Sequence, residues 1–217
     1  HIKAGARIRV DKIRFADSFL TTDLGRYLYY KDGSGGLVSF ALAEQAYTGQ
    51  RLAAAMQSAT GRNTTYVEVT NQIQQAVTVG QELLSDHDLK SFATGFPVGA
   101  SGSYPRSLNA ILGPAEVDGG FVTFNFVKMS PYDDLYLRSH KLSCQNVYGP
   151  SGEHNILAKI ILDQGVSRVQ SDEAPMHVYN DITETSAKTL DFRLTDFQGR
   201  VVNLRGRSLS FQITIDQ

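Results

Sequence analysis

The sequence predicts an all-β fold: a single jelly-roll β-sandwich with one or two short inserted helices, formed by residues 1–217 as one domain. Three observations carry this expectation. About nine or ten short runs alternate apolar with polar residues, and turn signals separate them. The clearest runs close the chain, where Leu190, Phe192 and Leu194, then Val202 and Leu204, then Leu209, Phe211, Ile213 and Ile215 fall on every second position. Successive side chains of a strand point to opposite faces, so this pattern describes half-buried antiparallel sheet. Only one stretch carries convincing helical spacing.

The elements follow in order. Residues 7–15, RIRVDKIRF, alternate Ile8 and Val10 with Arg7 and Arg9, then change phase at Ile13 and Phe15. That predicts a strand with a bulge, or two short strands. Leu24 to Lys31, with Tyr27, Tyr29 and Tyr30, is a further strand, and Leu37 to Leu42 another after the Gly33-Ser34-Gly35-Gly36 loop. The helix spans 48–60. Thr48 is placed to cap it, Leu52, Ala55, Met56 and Ala59 share one face, and Gly61 stops it. As an interruption in β-structure it is expected to form a flap over one end of the sheet.

Tyr66 to Val69 and Gln75 to Val79 form a hairpin-like pair around Asn71-Gln72-Ile73. Ser85 can cap a short helix in DHDLKSF. Residues 93–120 are rich in Gly, Pro and Ser and predict a long surface loop. Phe121 to Val127 and Leu135 to Leu142 are strands around a turn at Met129 to Asp133. Gly149-Pro150-Ser151-Gly152 is a second turn. Ile156 to Leu162 is nearly continuous in apolar residues and predicts a strand buried on both faces. Asp163-Gln164-Gly165 turns the chain into an irregular segment with a short strand near Met176 to Tyr179. Asp196, Gln198 and Gly199, then Arg205-Gly206-Arg207, turn the closing runs.

Composition narrows the function. Twenty-one Lys and Arg against 22 Asp and Glu give a net charge of −1, which disfavours a uniformly basic nucleic-acid binder. Cys144 is the sole cysteine, so no intrachain disulfide can form, which fits assembly in a reducing compartment. No apolar run approaches the roughly 20 residues of a membrane-spanning helix. HIKAGARIRV lacks the apolar core of a secretory signal. Asn63-Thr64-Thr65 matches a glycosylation acceptor, a triplet common by chance.

No candidate chemistry outweighs a plain structural reading, and no catalytic, cofactor or metal residue is assigned. Asp86-His87-Asp88 resembles a metal cluster, but neighbours on a helix face different ways, so a helix start is the better reading. His140 and Cys144 lack the third group and oxyanion donors of a nucleophilic site. Ser151 and His154 sit in a turn without a nucleophile elbow. The Gly33 to Gly36 loop lacks the lysine of a phosphate loop. Asp133-Asp134 and Asp172-Glu173 read as solvated turns rather than calcium ligands. Lys3, Arg7, Arg9, Lys12 and Arg14 near the start, and Arg193, Arg200, Arg205 and Arg207 near the end, would form one basic face if their strands were neighbours. Edge protection or subunit contact is the favoured reading of them over nucleic acid.

Three segments carry a resemblance: LVSFALAEQAYTGQRLAAAM, DLYLRSHKLSCQNVYGP and KTLDFRLTDFQGRVVNLRGRSLSFQITI. A strand leads into a Tyr47-Thr48 helix start, an "LRS…LS" strand follows, and the chain closes on "L.F.LTD..G..V.L.G..LSF.I". This order resembles the smaller capsid protein of Polinton (Maverick) elements and related adintovirus-like double-stranded DNA viruses, over most of residues 37–216. Residues 92–120 depart from it.

The resemblance implies a single jelly roll that forms a pentameric capsomer at the vertices of a virion. A larger major capsid protein would fill the faces, and the shell would assemble inside the host cell. It implies no catalytic residue and no cofactor. Ring closure needs a head-to-tail interface, expected on sheet edges and at residues 93–120 and 163–187. The alternative is a β-sandwich module that binds a ligand such as carbohydrate, with Tyr27, Tyr29, Tyr104 or Tyr148 stacking on sugar rings. A metal-dependent enzyme would need clustered imidazoles, and His1, His87, His140, His154 and His177 include no H-x-H pair.

Overall fold

In the computed structural model, the described residues are 2–3, 6–77, 80–89, 106–142, 155–162, 180–181, 186–187 and 189–216. Among them the architecture is an all-β sandwich with three helices. Its strands are β1 (Ile2–Lys3), β2 (Arg7–Phe15), β3 (Tyr27–Lys31), β4 (Leu37–Ala41), β5 (Thr64–Val67), β6 (Gln72–Ala76), β7 (Glu82–Leu83), β8 (Ala115–Asp118), β9 (Phe121–Phe124), β10 (Asp134–Arg138), β11 (Ile156–Ile161), β12 (Asn180–Asp181), β13 (Ser186–Ala187), β14 (Arg193–Thr195) and β15 (Leu209–Asp216). The helices are α1 (Gly49–Thr60), α2 (Asp86–Leu89) and α3 (Asn109–Leu112). No helix among the described residues is long and apolar enough to cross a membrane. The chain divides into two compact units, one of residues 19–131 and one of residues 1–18 with 132–217.

The first unit holds a three-stranded sheet in the order β4-β3-β7 and a four-stranded sheet in the order β5-β6-β9-β8, all antiparallel. Their core takes Leu28 and Tyr30 from β3, Ile73 from β6, and Val122 and Phe124 from β9. α1 supplies Leu52, Ala53 and Met56 to the same core. The helix bounds agree with the capping signals: Thr48 Oγ1 accepts from the Arg51 amide (3.4 Å), and Gly61, at φ 69°, donates its amide to Gln57 O (2.8 Å). The flap expectation is corrected. Leu52 and Met56 are fully buried, so α1 is a wall of the core and packs on β5, β4 and β6.

β3 is buried on both faces. Tyr29 points away from the main core into a second cluster with Leu84 and Leu89, and Tyr27 stacks on it at 6.0 Å. Of the expected loop at 93–120, residues 93–105 lie outside the described residues, and the remainder is ordered structure. Leu108, Ile111 and Leu112 have helical spacing and bury in the core through α3, and Ser107 bridges to Tyr27. The hairpin of β8 and β9 follows, turned by Gly119 and Gly120, both at positive φ.

A buried polar chain ties this core together. The Tyr30 hydroxyl donates to Gln75 Oε1, and Gln75 Nε2 donates to Thr64 Oγ1 (3.0 Å) and Thr60 Oγ1 (3.2 Å). The Arg62 guanidinium lies 3.9 Å over the Tyr30 ring. Burial pushes the Tyr30 hydroxyl up to about 12, while the Arg62 charge pulls it back. Tyr30→Phe leaves Gln75 Oε1 buried without this donor, so a loss of about 1–3 kcal/mol is expected in urea denaturation. An unchanged midpoint would show that the bond contributes nothing.

The second unit holds sheets ordered β12-β2-β15 and β11-β10-β14, with β1 paired to β13. β2 is one strand with a bulge. Its register with β15 slips between Gln212 and Ile213, where Asp11 is the extra residue. Ile8, Ile13 and Phe15 are buried against Ile215, Phe211 and Leu209, and Phe192 packs edge-on against Phe211 at 4.7 Å.

Two expectations are corrected here. The closing runs do not form one sheet: β14 joins β10, β15 joins β2, and Val202 to Leu204 form no ladder beyond the single bridge of Val201 to Thr195. β11 is not buried on both faces, since it flanks β10 and exposes Lys159 and Ile161. In this unit β10, held between β11 and β14, is buried on both faces, with Leu135 to Arg138 all inside. The turns at 149–152 and 163–165 and the strand near 176–179 lie outside the described residues.

Candidate functional site

The acidic motif at 86–88 resolves into helix and loop fastening. The Ser85 hydroxyl accepts the Asp88 amide (3.2 Å), and Asp88 Oδ2 accepts the Ser85 amide (3.0 Å), a reciprocal cap on α2. The Ser85 hydroxyl also donates to Asp88 Oδ2 (2.6 Å), and this bond, with that of the Ser85 amide, holds the Asp88 carboxyl below its ordinary range. Asp86 Oδ1 takes the Ser107 hydroxyl and Asn109 Nδ2 (2.9 Å), fixing the chain that leads into α3. His87 is exposed. Among the described residues no three His, Cys, Asp or Glu side chains gather to hold a metal.

His140 is exposed in the turn after β10, not within a strand; the strand ends at Arg138. Asp191 grips that turn by accepting the amides of His140 and Lys141, each at 3.2 Å. Burial raises the Asp191 carboxyl, but these amide bonds outweigh it, and the group is held low. Cys144, Ser151, His154, His1, His177, Asp172, Glu173, Tyr104 and Tyr148 lie outside the described residues. Asp133-Asp134 is not simply a solvated turn. Asp133 is exposed, but Asp134 begins β10 and pairs with Lys159 at 2.8 Å. Asp32 Oδ1 accepts the Ser34 (2.9 Å) and Gly36 (2.7 Å) amides, so the glycine loop at 33–36 is a carboxylate-fastened hairpin connection.

The carbohydrate platform loses its described members. Tyr29 is 1% exposed and Tyr27 is half-buried against it. An open cleft of about 400 Å³ lies between α1 and β5, lined by Gln50, Gln57, Ser58, Thr65 and Tyr66. Its side chains are structural in part: Gln57 Oε1 accepts the Thr64 amide (3.3 Å), and the Tyr66 hydroxyl donates to Asn71 Oδ1 (2.9 Å). Gly49 leaves room for the Tyr66 ring on the first turn of α1.

Two kinds of surface remain. Large apolar side chains stand exposed at sheet ends and edges. In one unit these are Val69 (97%), Val117, Phe121 and Phe126 (67%), and in the other Ile161, Phe197 and Val201. Asn71 brings two of them to the same end of their sheet: its Nδ2 donates to Val127 O (2.9 Å) and its carbonyl accepts the Val127 amide, so the turn carrying Val69 adjoins Phe126. All four residues of the edge strand β8 are exposed. Sequence alternation does not reveal such residues, because it cannot separate an apolar side chain facing the core from one facing solvent at a sheet margin.

The second surface is basic. β2 and β15 are neighbours, so Arg7, Arg9, Lys12 and Arg14 share one face with Asp216, Thr214, Gln212 and Ser210. Arg205 and Arg207 stand exposed at the turn into β15. Arg193 and Arg200 do not join them. Arg193 lies on β14, and Arg200 binds the buried Asp196 at 2.6 Å. The side chain of Lys3 lies outside the described residues.

No protein-family model matches the chain, and no curated protein matches it. Among solved structures it is similar to the selenomethionine-labelled mavirus penton protein, with 9% identity over 97% of this chain and 85% of that chain and a TM-score of 0.43.

Proposed function

We propose that the chain is a structural protein of a viral or virus-like capsid, a vertex subunit that acts by self-association and has no catalytic role. The observation that carries this reading is the set of exposed apolar side chains at sheet margins: Val69, Val117, Phe121 and Phe126 in one unit, Ile161, Phe197 and Val201 in the other. Apolar residues exposed together at a margin mark a surface that another protein covers. Placed on two different units, they fit a heterologous contact, the kind that closes a ring. The "YT" helix start, now seen as Thr48 capping α1, and the closing strand pattern support the same reading through their resemblance to the smaller Polinton-type capsid proteins. In that setting the chain would be a homopentamer of a single jelly roll, placed beside a larger capsid protein in the virion.

The test is sedimentation velocity across micromolar concentrations, with negative-stain images of the same sample. The expected result is a closed oligomer with five-fold rings. Phe197→Ser with Val201→Ser should weaken association at least about tenfold, or ~1.4 kcal/mol, with the circular dichroism spectrum unchanged. A wild-type chain that stays monomeric at every concentration and salt level would end this reading.

A further inference from the structure

We propose that the polar face of the β2–β15 ribbon binds nucleic acid through its phosphate backbone, without reading sequence. The bulge at Asp11 is the first reason. Arg7 and Arg9 are out of phase with Lys12 and Arg14 in the sequence, and one extra residue brings all four to the same face. At about 3.3 Å per residue, the ribbon presents a cation roughly every 7 Å along one line. The facing strand contributes Ser210 and Gln212, neutral groups able to donate to phosphate oxygens, Thr214, whose hydroxyl is given to Asp11, and Asp216 at its end.

The local charge balance is positive although the chain is near neutral. Arg7, Arg9, Lys12, Arg14, Arg205 and Arg207 stand against Asp11, Asp216, the nearby Asp17 and Asp181, which β12 places opposite Arg7, six cations to four carboxylates. Three of those carboxylates, Asp11, Asp181 and Asp216, lie toward the Arg7 end. Asp11 takes Arg9 and the Thr214 hydroxyl (2.5 Å), and Asp216 stands opposite Arg7. The excess charge therefore lies at the Lys12, Arg14, Arg205 and Arg207 end, where all four residues are exposed.

The chemistry of the face favours a polyanion over a protein. It carries no apolar or aromatic side chain, and protein interfaces are anchored by such residues at their centre. The same lack removes base stacking, so the recognition is of backbone charge alone. This inference does not depend on ring assembly, because binding is measured on the subunit in any oligomeric state.

The experiment is fluorescence anisotropy of a labelled mixed-sequence duplex of about 30 base pairs, titrated with the 217-residue chain at several salt concentrations. The expected dissociation constant at low salt is about 10⁻⁴ to 10⁻⁶ M, and log K should fall linearly with log salt at about 0.9 per phosphate contacted. Lys12→Gln with Arg14→Gln should weaken low-salt binding at least about tenfold and reduce the slope by about 1.8. Lys31→Gln and Arg51→Gln, at exposed cations carried by β3 and α1 rather than by the ribbon, should leave both unchanged. If the double variant fails to fold, Gln212→Glu places a carboxylate among the same cations and should weaken binding likewise. The proposal is overturned by absence of binding at low salt, by a double variant that binds as wild type does, or by polyglutamate competing as well as DNA, which would assign the face to an acidic polypeptide.

Discussion

Gly25→Ala is expected to destabilise its unit by about 3–5 kcal/mol, a large part of the 5–15 kcal/mol that holds a typical domain folded. Gly25 is buried where the chain entering β3 runs against residues 106–107. A Cβ added there would stand closer than 3.0 Å to Ser107 O and to Arg106 C and O. All three are backbone atoms, so no side chain can rotate away. Relief requires the two segments to part, and that stretches three bonds at once: Arg26 and Tyr27 donate their amides to Arg106 O (2.9 and 3.2 Å), and Leu108 donates to Tyr27 O (2.8 Å). Overpacking alone costs about 1–3 kcal/mol, and each weakened bond adds about 1. Urea denaturation measures the sum. A loss below about 1 kcal/mol would mean that this crossing yields easily, contrary to its role in seating α3.

That crossing also marks where the sequence stopped being legible. Local signals were read well because their causes are local. Thr48 and Gly61 bracket α1 through hydrogen bonds to their own neighbours, and the phase change after Val10 became the bulge at Asp11. What failed depends on residues far apart in the chain. Alternation assigns the faces of a strand but not its partners, so the three closing runs looked like one sheet, while β15 pairs instead with β2 across almost the whole sequence. Gly, Pro and Ser around α3 hid the spacing of Leu108, Ile111 and Leu112, which only a waiting core makes helical. The candidate surfaces divide in the same way. The basic residues are visible in the sequence, but their gathering depends on which strands pair. Pairing of β2 with β15 gathers Arg7, Arg9, Lys12 and Arg14 on one face, with Arg205 and Arg207 at the turn into β15, and β14 takes Arg193 elsewhere. The exposed apolar margin was not visible, since Phe121 and Phe124 look alike in the pattern but one is 47% exposed and the other 0%.

Met56→Ala is expected to cost about 2–5 kcal/mol, which tests whether α1 is a wall of the core or a cover laid over it. A cover would lose little, because its inner side chains would still meet water at the margins. Met56 is fully buried, in a cluster with Leu52, Ile73, Val122 and Phe124. Its truncation leaves a void among side chains already fixed by two sheets, and partial collapse sets where in that range the loss falls. Two features oppose collapse on the helix side. The Thr60 hydroxyl donates to Met56 O (2.7 Å), and the same Thr60 oxygen accepts from Gln75 on β6 (3.2 Å), so the last turn of α1 is tied to the sheet beneath it. Ala54, on the exposed face of the same helix, is the control: Ala54→Ser should stay within about 0.5 kcal/mol. The contrast between 54 and 56 separates burial from helix propensity, since Ala is the better helix former and propensity alone would favour Met56→Ala. A Met56→Ala loss no larger than that of the control would place α1 outside the core and remove the basis for treating its capped start as a fold determinant.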